Sequence, residues 1–399
     1  MAGGSDIVSC SSLGDRTSFE DYILKLRNFS GRQGSLGQLD LCRPEICNAL
    51  WGPVNGDIAG PGVTASYIIG NSLSLFSIVA LTAYWETSKY FHRSLLSHRT
   101  ERQIGKCIEA LHMCIVWLCI STQIASIVLL VKVDFGLDAA GMEFPSMEIT
   151  WMVSTLMLLP LVHLSFLPSR VGYRGGGLAS TGSFSSYASS EDDLISPKSE
   201  IFRLRALSFC WLLSGYPFLS RMLETFSPSK IGNGPGSAIT TDEWAKIQQL
   251  CLDGVETIPR RSRTLFTAFG ILSWIWVTIF TIAGLVRIYL TRQDRNEESK
   301  VLDEVTRSTS MSPATGIRSV TCANFIRFLL ITVNPMLAAF SIWAIFRLQE
   351  YQADISEKTG GPSDAADWTF GQVMAILIYG PVCLELYNLG KIYYRTHWA

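Results

Sequence analysis

Seven long apolar runs dominate this chain, and each approaches the length a helix needs to cross a lipid bilayer. A span takes about 20 mostly apolar residues, at a rise of about 1.5 Å each. The runs are Val63–Trp85, Cys107–Val131, Met147–Leu167, Leu204–Leu219, Leu265–Leu290, Cys322–Phe346 and Trp368–Leu389. The fourth is short and is interrupted by Gly215 and Pro217. In hydrocarbon every backbone amide must be satisfied internally, so such runs are expected as helices. The expected fold class is all-α: a polytopic integral membrane protein with seven transmembrane helices.

Lys and Arg in the connections set the expected direction. The first connection carries Lys89, Arg93, Arg99, Arg102 and Lys106, whereas the second, Asp134 to Ser146, carries none. The third has Arg170, Arg174, Lys198, Arg203 and Arg205, and the fifth has Arg287, Arg292, Arg295, Lys300, Arg307 and Arg318. The sixth offers Lys358 against Glu350, Asp354, Glu357, Asp364 and Asp367. This bias puts the N-terminus on the luminal or external side and the tail, with Lys391 and Arg395, in the cytosol. Arg260, Arg261 and Arg263 flank the fifth run on the other side and run against the bias.

Three parts follow: a luminal segment 1–62, a membrane domain 63–390 and a cytosolic tail 391–399. Within the membrane domain, loop 168–203 contains Gly175-Gly176-Gly177 and a Ser-rich stretch from Ser183 to Ser190. Such composition buries too little apolar surface to order itself. The first 62 residues lack a signal-peptide apolar core, so the first run is expected to serve as the insertion signal. Asn28-Phe29-Ser30 is a glycosylation sequon in that segment. Cys42 and Cys47 share its compartment with Cys251, and an oxidising lumen permits either a Cys42–Cys47 bridge or a tie to Cys251.

Composition narrows the function classes. The 33 Lys+Arg nearly cancel the 34 Asp+Glu, leaving a formal charge of -1. No nucleic-acid partner is expected of a chain without net positive charge. Cysteine and histidine spacings match no metal or haem site, and no cofactor loop appears. The lipid bilayer itself is the expected environment.

Ionisable groups inside spans are costly and mark function by default. Glu86 ends the first run, Glu109 and His112 share a face of the second, and His163 ends the third. Arg327 opens the sixth and Glu385 lies near the end of the seventh, where an Arg327–Glu385 pair is one expectation. Asp57 precedes the first run, Glu148 opens the third and Gln372 lies one turn into the seventh. Asn334-Pro335 breaks the sixth near its centre, because proline removes a backbone hydrogen bond. Trp51, Trp85, Trp151, Trp274, Trp276 and Trp368 are candidates for interface anchors or for ring faces that stabilise positive charge.

Two stretches carry a resemblance. One runs Cys47-Asn48-Ala49-Leu50-Trp51-Gly52-Pro53-Val54-Asn55-Gly56-Asp57-Ile58-Ala59-Gly60-Pro61-Gly62-Val63, and the other Asp367-Trp368-Thr369-Phe370-Gly371-Gln372-Val373. With the seven-span pattern, they resemble a group of filamentous-fungal membrane proteins that includes the membrane-bound terpene cyclase of ascofuranone biosynthesis. This chain reads Asn-Gly-Asp where that group usually reads Asn-Pro-Asp, and the Asp stays in place.

The resemblance implies a cofactor-independent isomerase in the endoplasmic reticulum or another internal membrane. Its expected substrate is a lipophilic farnesyl-phenol (meroterpenoid) epoxide, opened by acid and closed to a cyclic ether or carbocycle. Such chemistry needs a carboxyl group kept protonated by burial, aromatic faces and a water-poor cavity. Asp57, Glu86, Glu148 and Glu385 are the candidate acids; Asn55, Trp368, Gln372 and Arg327 are candidates for holding substrate. A seven-helix receptor or sensor, or a transporter, is the competing class. Against the receptor, the third run ends Val162-His163-Leu164-Ser165-Phe166 with no Asp/Glu-Arg-Tyr signature. No internal repeat supports the transporter.

Overall fold

The computed structural model describes Arg43, Cys47, Cys251 and residues 60–91, 98–134, 144–167, 197–226, 259–305, 316–359 and 370–398. Among these residues the regular structure is entirely helical. Helix α1 is Pro61–Phe91, α2 His98–Asp134, α3 Phe144–Leu156, α4 Leu158–Ser165 and α5 Pro197–Phe226. They are followed by α6 Arg260–Val305, α7 Gly316–Thr359, α8 Phe370–Leu377 and α9 Gly380–Trp398.

Six stretches among the described residues are long and apolar enough to cross a membrane. They are Pro61–Tyr84, Arg99–Val131, Met147–Ser165, Arg261–Leu290, Phe325–Ile355 and Gly371–Ile392. The chain is a multi-pass membrane protein set in a lipid bilayer. Each stretch overlaps an apolar run of the sequence, with ends that differ by a few residues. Helix α5 covers the remaining run, Leu204–Leu219; its 30 residues are ample in length, but it is less apolar than the six.

Proline explains where two runs break. The third run divides at Met157, whose N–H still reaches the Val153 carbonyl at 3.1 Å. Pro160 has no N–H to offer the Leu156 carbonyl, so the helical ladder stops and restarts as α4. The last run breaks likewise at Ile378-Tyr379, ahead of Pro381. There the Tyr379 N–H takes the tighter bond to Ile376 O at 3.2 Å.

The broken third run is the hub of the bundle. Its residues from Met147 to Ser165 are all buried, and α1, α2, α5, α6 and α7 pack around it. Helix α8 lies against α1, and α9 lies against α2. The outer helices turn apolar side chains outward: Phe76 on α1, Trp117 on α2, Ile279 on α6, Phe328 and Met336 on α7, Leu384 on α9. Helix α5 does the same along one face, with Phe202, Phe209, Leu212, Leu219 and Leu223 exposed at helical spacing.

A single glycine sets how closely α6 approaches the hub. A Cβ at Gly270 would meet ring carbons Cζ3 and Cζ2 of Trp151 at 2.7 and 2.8 Å. Trp151 is itself 1% exposed and has no room to move aside. Gly270→Val is expected to cost about 1–3 kcal/mol, the usual range for overpacking. A lowered thermal midpoint of the detergent-purified protein, with Gly284→Ala as a milder comparison, is the measurement. Cys47 and Cys251 form a disulfide with Cα atoms 5.5 Å apart, so of the pairings open from sequence the tie to Cys251 is the one formed.

Candidate functional site

The site is organised along one stripe of α1. Gly62, Ser66, Gly70 and Ser74 recur every fourth residue and stack on one helix face. Small residues in this pattern let neighbouring helices approach the backbone closely. Three groups from across the bundle, Gln372, Tyr379 and His163, meet the four.

Gly62 comes first. Pro61 opens α1, suited to a position whose missing N–H is not needed, and the Gly62 N–H is among the donors a helix start leaves free. The Gln372 side chain of α8 accepts it, Oε1 to N at 3.2 Å, and is itself fully buried. One turn on, the Ser66 carbonyl accepts the Tyr379 hydroxyl at 3.0 Å. Gly70 lies beneath that same hydroxyl, where any side chain would collide with it. Gln349 of α7 donates to Thr64 Oγ1 at 3.4 Å. The first turns of α1 are therefore held by both α7 and the α8–α9 break.

Ser74 leads into the polar centre. Its Oγ lies 3.2 Å from His163 Nδ1 and 2.9 Å from the Asn71 carbonyl. His163 Nε2 lies 3.0 Å from the Leu330 carbonyl and 3.0 Å from Asn334 Nδ2. Asn334 Nδ2 also donates to Leu159 O at 3.0 Å, and its Oδ1 accepts Trp276 Nε1–H at 3.0 Å. Two neutral forms of the imidazole meet this surround differently. With the proton on Nε2, the ring donates to Leu330 O and accepts from the Ser74 hydroxyl, but it faces the Asn334 amide donor to donor. With the proton on Nδ1, it donates to Ser74 Oγ, which turns its own proton to Asn71 O, while Asn334 donates to Nε2. The second form leaves each of these donors with an acceptor. Asn334 directly precedes Pro335, and α7 runs unbroken through that proline where the sequence suggested a break, because one missing N–H removes only one bond of a long ladder.

Aromatic rings border this centre. Trp276 packs on Phe280 with centroids 4.7 Å apart, and Phe280 meets Phe166 edge-on at 5.2 Å. Further along the α6–α7 seam, Phe269 stacks on Phe340 at 3.7 Å, and Phe340 meets Trp343 at 5.3 Å.

The four candidate acids fall in different settings. Glu148 is fully buried and ion-paired to Arg221 of α5 at 2.6 Å, with Thr267 Oγ1 3.5 Å away on α6. Its place in a buried ion pair suits a structural role better than that of a proton donor. Glu385 of α9 is half-buried and accepts a hydrogen bond from Gln103 of α2 at 2.5 Å. Glu86 is exposed at the far end of α1, and it is the carboxylate whose field acts on Arg327. The partners of the two residues in the Arg327–Glu385 expectation are thus Glu86 and Gln103, because Arg327 opens its span opposite the end of α1. Asp57, Asn55 and Trp368 lie outside the described residues, as do Asn28, Cys42 and Trp51. Of the candidates for holding substrate, Gln372 joins the α1 stripe.

Sequence reasoning flagged His163 and Asn334 separately and missed Ser74, Gln103 and Arg221. Ser74 had a readable signal in the four-residue stripe of small residues. Gln103 and Arg221 had none, since each is defined by a partner far along the chain. Among the described residues no cluster of His, Cys, Asp or Glu is arranged to hold a metal ion. No family model, no curated protein and no solved structure matches this chain.

Proposed function

We propose that this chain is a cofactor-independent membrane isomerase, a terpene cyclase acting on a farnesyl-phenol (meroterpenoid) epoxide. One observation carries the reading. The hydrogen bond from Gly62 to Gln372 joins the two stretches in which the resemblance resides, across a separation of 310 residues. Residues that share a likeness and then share a contact have the character of one site. The stretch containing Asn55 and Asp57 is anchored on both flanks, by the Cys47–Cys251 disulfide and by Gly62 on Gln372. Asp57 is the acid of choice, since Glu148 is committed to Arg221 and Glu86 is exposed.

The chemistry is short. The acid protonates the epoxide oxygen, the C–O bond to the more substituted carbon breaks, and electron deficiency develops there. An internal hydroxyl or alkene of the same substrate captures that carbon, and the proton lost on capture balances the one supplied. Ring faces such as those along the α6–α7 seam stabilise the developing charge. A substrate of this kind partitions into lipid, so a site between membrane helices is reached without crossing water. Microsomes containing the chain are expected to convert an epoxyfarnesyl phenol into a cyclic isomer of unchanged mass. Unchanged substrate across a panel of such epoxides, with the protein present and folded, overturns the reading.

The same proposal includes seven spans, with the N-terminus luminal and the tail cytosolic, in the endoplasmic reticulum or a related internal membrane. Support comes from parity. A disulfide requires both cysteines in one compartment, so the chain between Cys47 and Cys251 crosses an even number of times. Pro61–Tyr84, Arg99–Val131 and Met147–Ser165 account for three crossings. Helix α5 supplies the fourth: Arg203 near its start bonds the Leu164 carbonyl, and Arg221 near its end pairs with Glu148. It therefore runs the full depth of the hub. The Arg260, Arg261 and Arg263 cluster opposes this direction, but charge bias is a statistical tendency and a covalent bond has a definite side. An acceptor sequon engineered into residues 227–250 is expected to be glycosylated in microsomes, and one in residues 168–196 is not. The same outcome at both sites removes α5 from the count of spans, and the reverse pattern inverts the orientation.

A further inference from the structure

Arg203 is a cation buried without a counter-ion in contact, near the start of α5. It is 2% exposed, and one edge of its guanidinium is spoken for: Nη1 donates to the Leu164 carbonyl at 3.4 Å. That contact caps the carbonyl end of α4, where a positive charge is favoured by the helix dipole. The Ser165 hydroxyl in turn donates to the Arg203 carbonyl at 3.3 Å and fixes the two helices together. The other edge, Nε and Nη2, has no hydrogen-bond partner among the described residues. Those two donors are the parallel pair with which arginine grips a two-oxygen anion.

A second buried group without a partner stands beside it. His112 of α2 is 2% exposed, its ring meets Phe202 edge-on at 6.1 Å, and the charge of Arg203 acts on it directly. Its Nε2 has no hydrogen-bond partner. Two carboxylates also act on Arg203 through space, Glu109 and Glu200. Neither accepts from the Nε–Nη2 edge, and Glu200 is engaged with Arg287 at 2.6 Å. Three polar atoms without a hydrogen-bond partner among the described residues, on two enclosed side chains, are expensive in a membrane protein. Capping α4 requires only Nη1. The rest of the guanidinium has another purpose.

We propose that Arg203 and His112 form a phosphate-binding site between α2, α4 and α5. The Nε–Nη2 edge holds two phosphate oxygens, and a third position faces His112 Nε2. Phosphate is favoured over a carboxylate because its monoester carries both P–O⁻ and P–OH. It satisfies Nε2 whichever ring nitrogen holds the proton, whereas an ionised carboxylate only accepts. The position suits a headgroup: Arg203 directly precedes the apolar run Leu204–Leu219, at the level where a lipid phosphate lies. The site is separate from the α1 stripe and does not depend on the cyclase reading.

The test uses the full chain purified in detergent, with thermal midpoints and native mass spectrometry as readouts. The probes are sodium phosphate alone and dioctanoyl phosphatidic acid, a phosphomonoester lipid. Wild type is expected to bind phosphatidic acid and to melt higher with it. Arg203→Lys keeps the charge and the cap but loses the parallel donors, so affinity is expected to fall about tenfold. His112→Gln is expected to weaken binding by a smaller factor and serves if the first variant folds poorly. Arg205→Gln, an exposed neighbour, leaves binding unchanged. Response to phosphatidic acid alone identifies a lipid headgroup, and an equal response to sodium phosphate identifies a free anion. If neither probe binds wild type, or if Arg203→Lys and His112→Gln bind as wild type does, the proposal fails.

Discussion

Replacing Arg221 with leucine is expected to destabilise the protein by about 3–5 kcal/mol, the cost of leaving one partner of a buried ion pair alone. Arg221 and Glu148 are 2% and 0% exposed and 2.6 Å apart, and protein surrounds the carboxylate on every side. With the guanidinium gone, Glu148 loses the counter-charge that offsets its burial. The double variant Glu148→Leu/Arg221→Leu is expected to recover most of the loss, because removing both charges removes both desolvation costs. The measurement is the thermal midpoint in detergent for both single variants and the double. A single Arg221→Leu that melts with wild type contradicts the pairing. Recovery in the double also separates a structural Glu148 from a catalytic one: a stable double variant that still turns over excludes Glu148 as the acid.

Asp57→Asn is the variant expected to act on chemistry instead of stability. A general acid contributes about 10²–10⁴-fold to a rate, so isomer formation is expected to drop by that factor. The Cys47–Cys251 disulfide and the melting behaviour stay as in wild type. Gln372→Leu is expected to act on both, since it strips the acceptor from the Gly62 N–H and leaves a buried donor unpaired. Glu385→Gln keeps a hydrogen-bond acceptor for Gln103 and is expected to retain activity. Should Asp57→Asn turn over normally while Glu385→Gln does not, the acid belongs at the other end of the last span.

The apolar runs were legible because outward-facing surface is apolar whatever lies behind it, as with Trp117, Ile279 and Leu384. Helix α5 was harder to read for the opposite reason. Its Ser214, Ser220 and Arg221 lower the average, yet all are buried against other helices, and its exposed face carries Leu212, Leu219 and Leu223. A window that averages both faces cannot separate them. Breaks at Pro160 and Pro381 were written locally, whereas α7 runs on through Pro335. Pairings were not: Glu148 looked like a free acid from sequence because Arg221 approaches only when α5 docks on α3. The same holds for Gln103 with Glu385 and for Gln372 with Gly62. Side chains that a bilayer would penalise were visible one by one, while the partners that relieve the penalty exist only in three dimensions.

The enclosure of the third span also bears on how the chain is made. During synthesis that segment leaves the insertion machinery before α5, α6 and α7 exist to surround it, carrying Glu148 and His163 toward hydrocarbon. It has α1 and α2 for company at that moment, and the bond of Ser154 with Gln123 and that of Ser74 with His163 are ready to form. The segment must then wait at the translocon or in a chaperone's keeping until its later wrapping emerges. Truncations that end before Arg221 are left with an unmatched anion in the bilayer, and quality control should remove them faster than truncations that end after it.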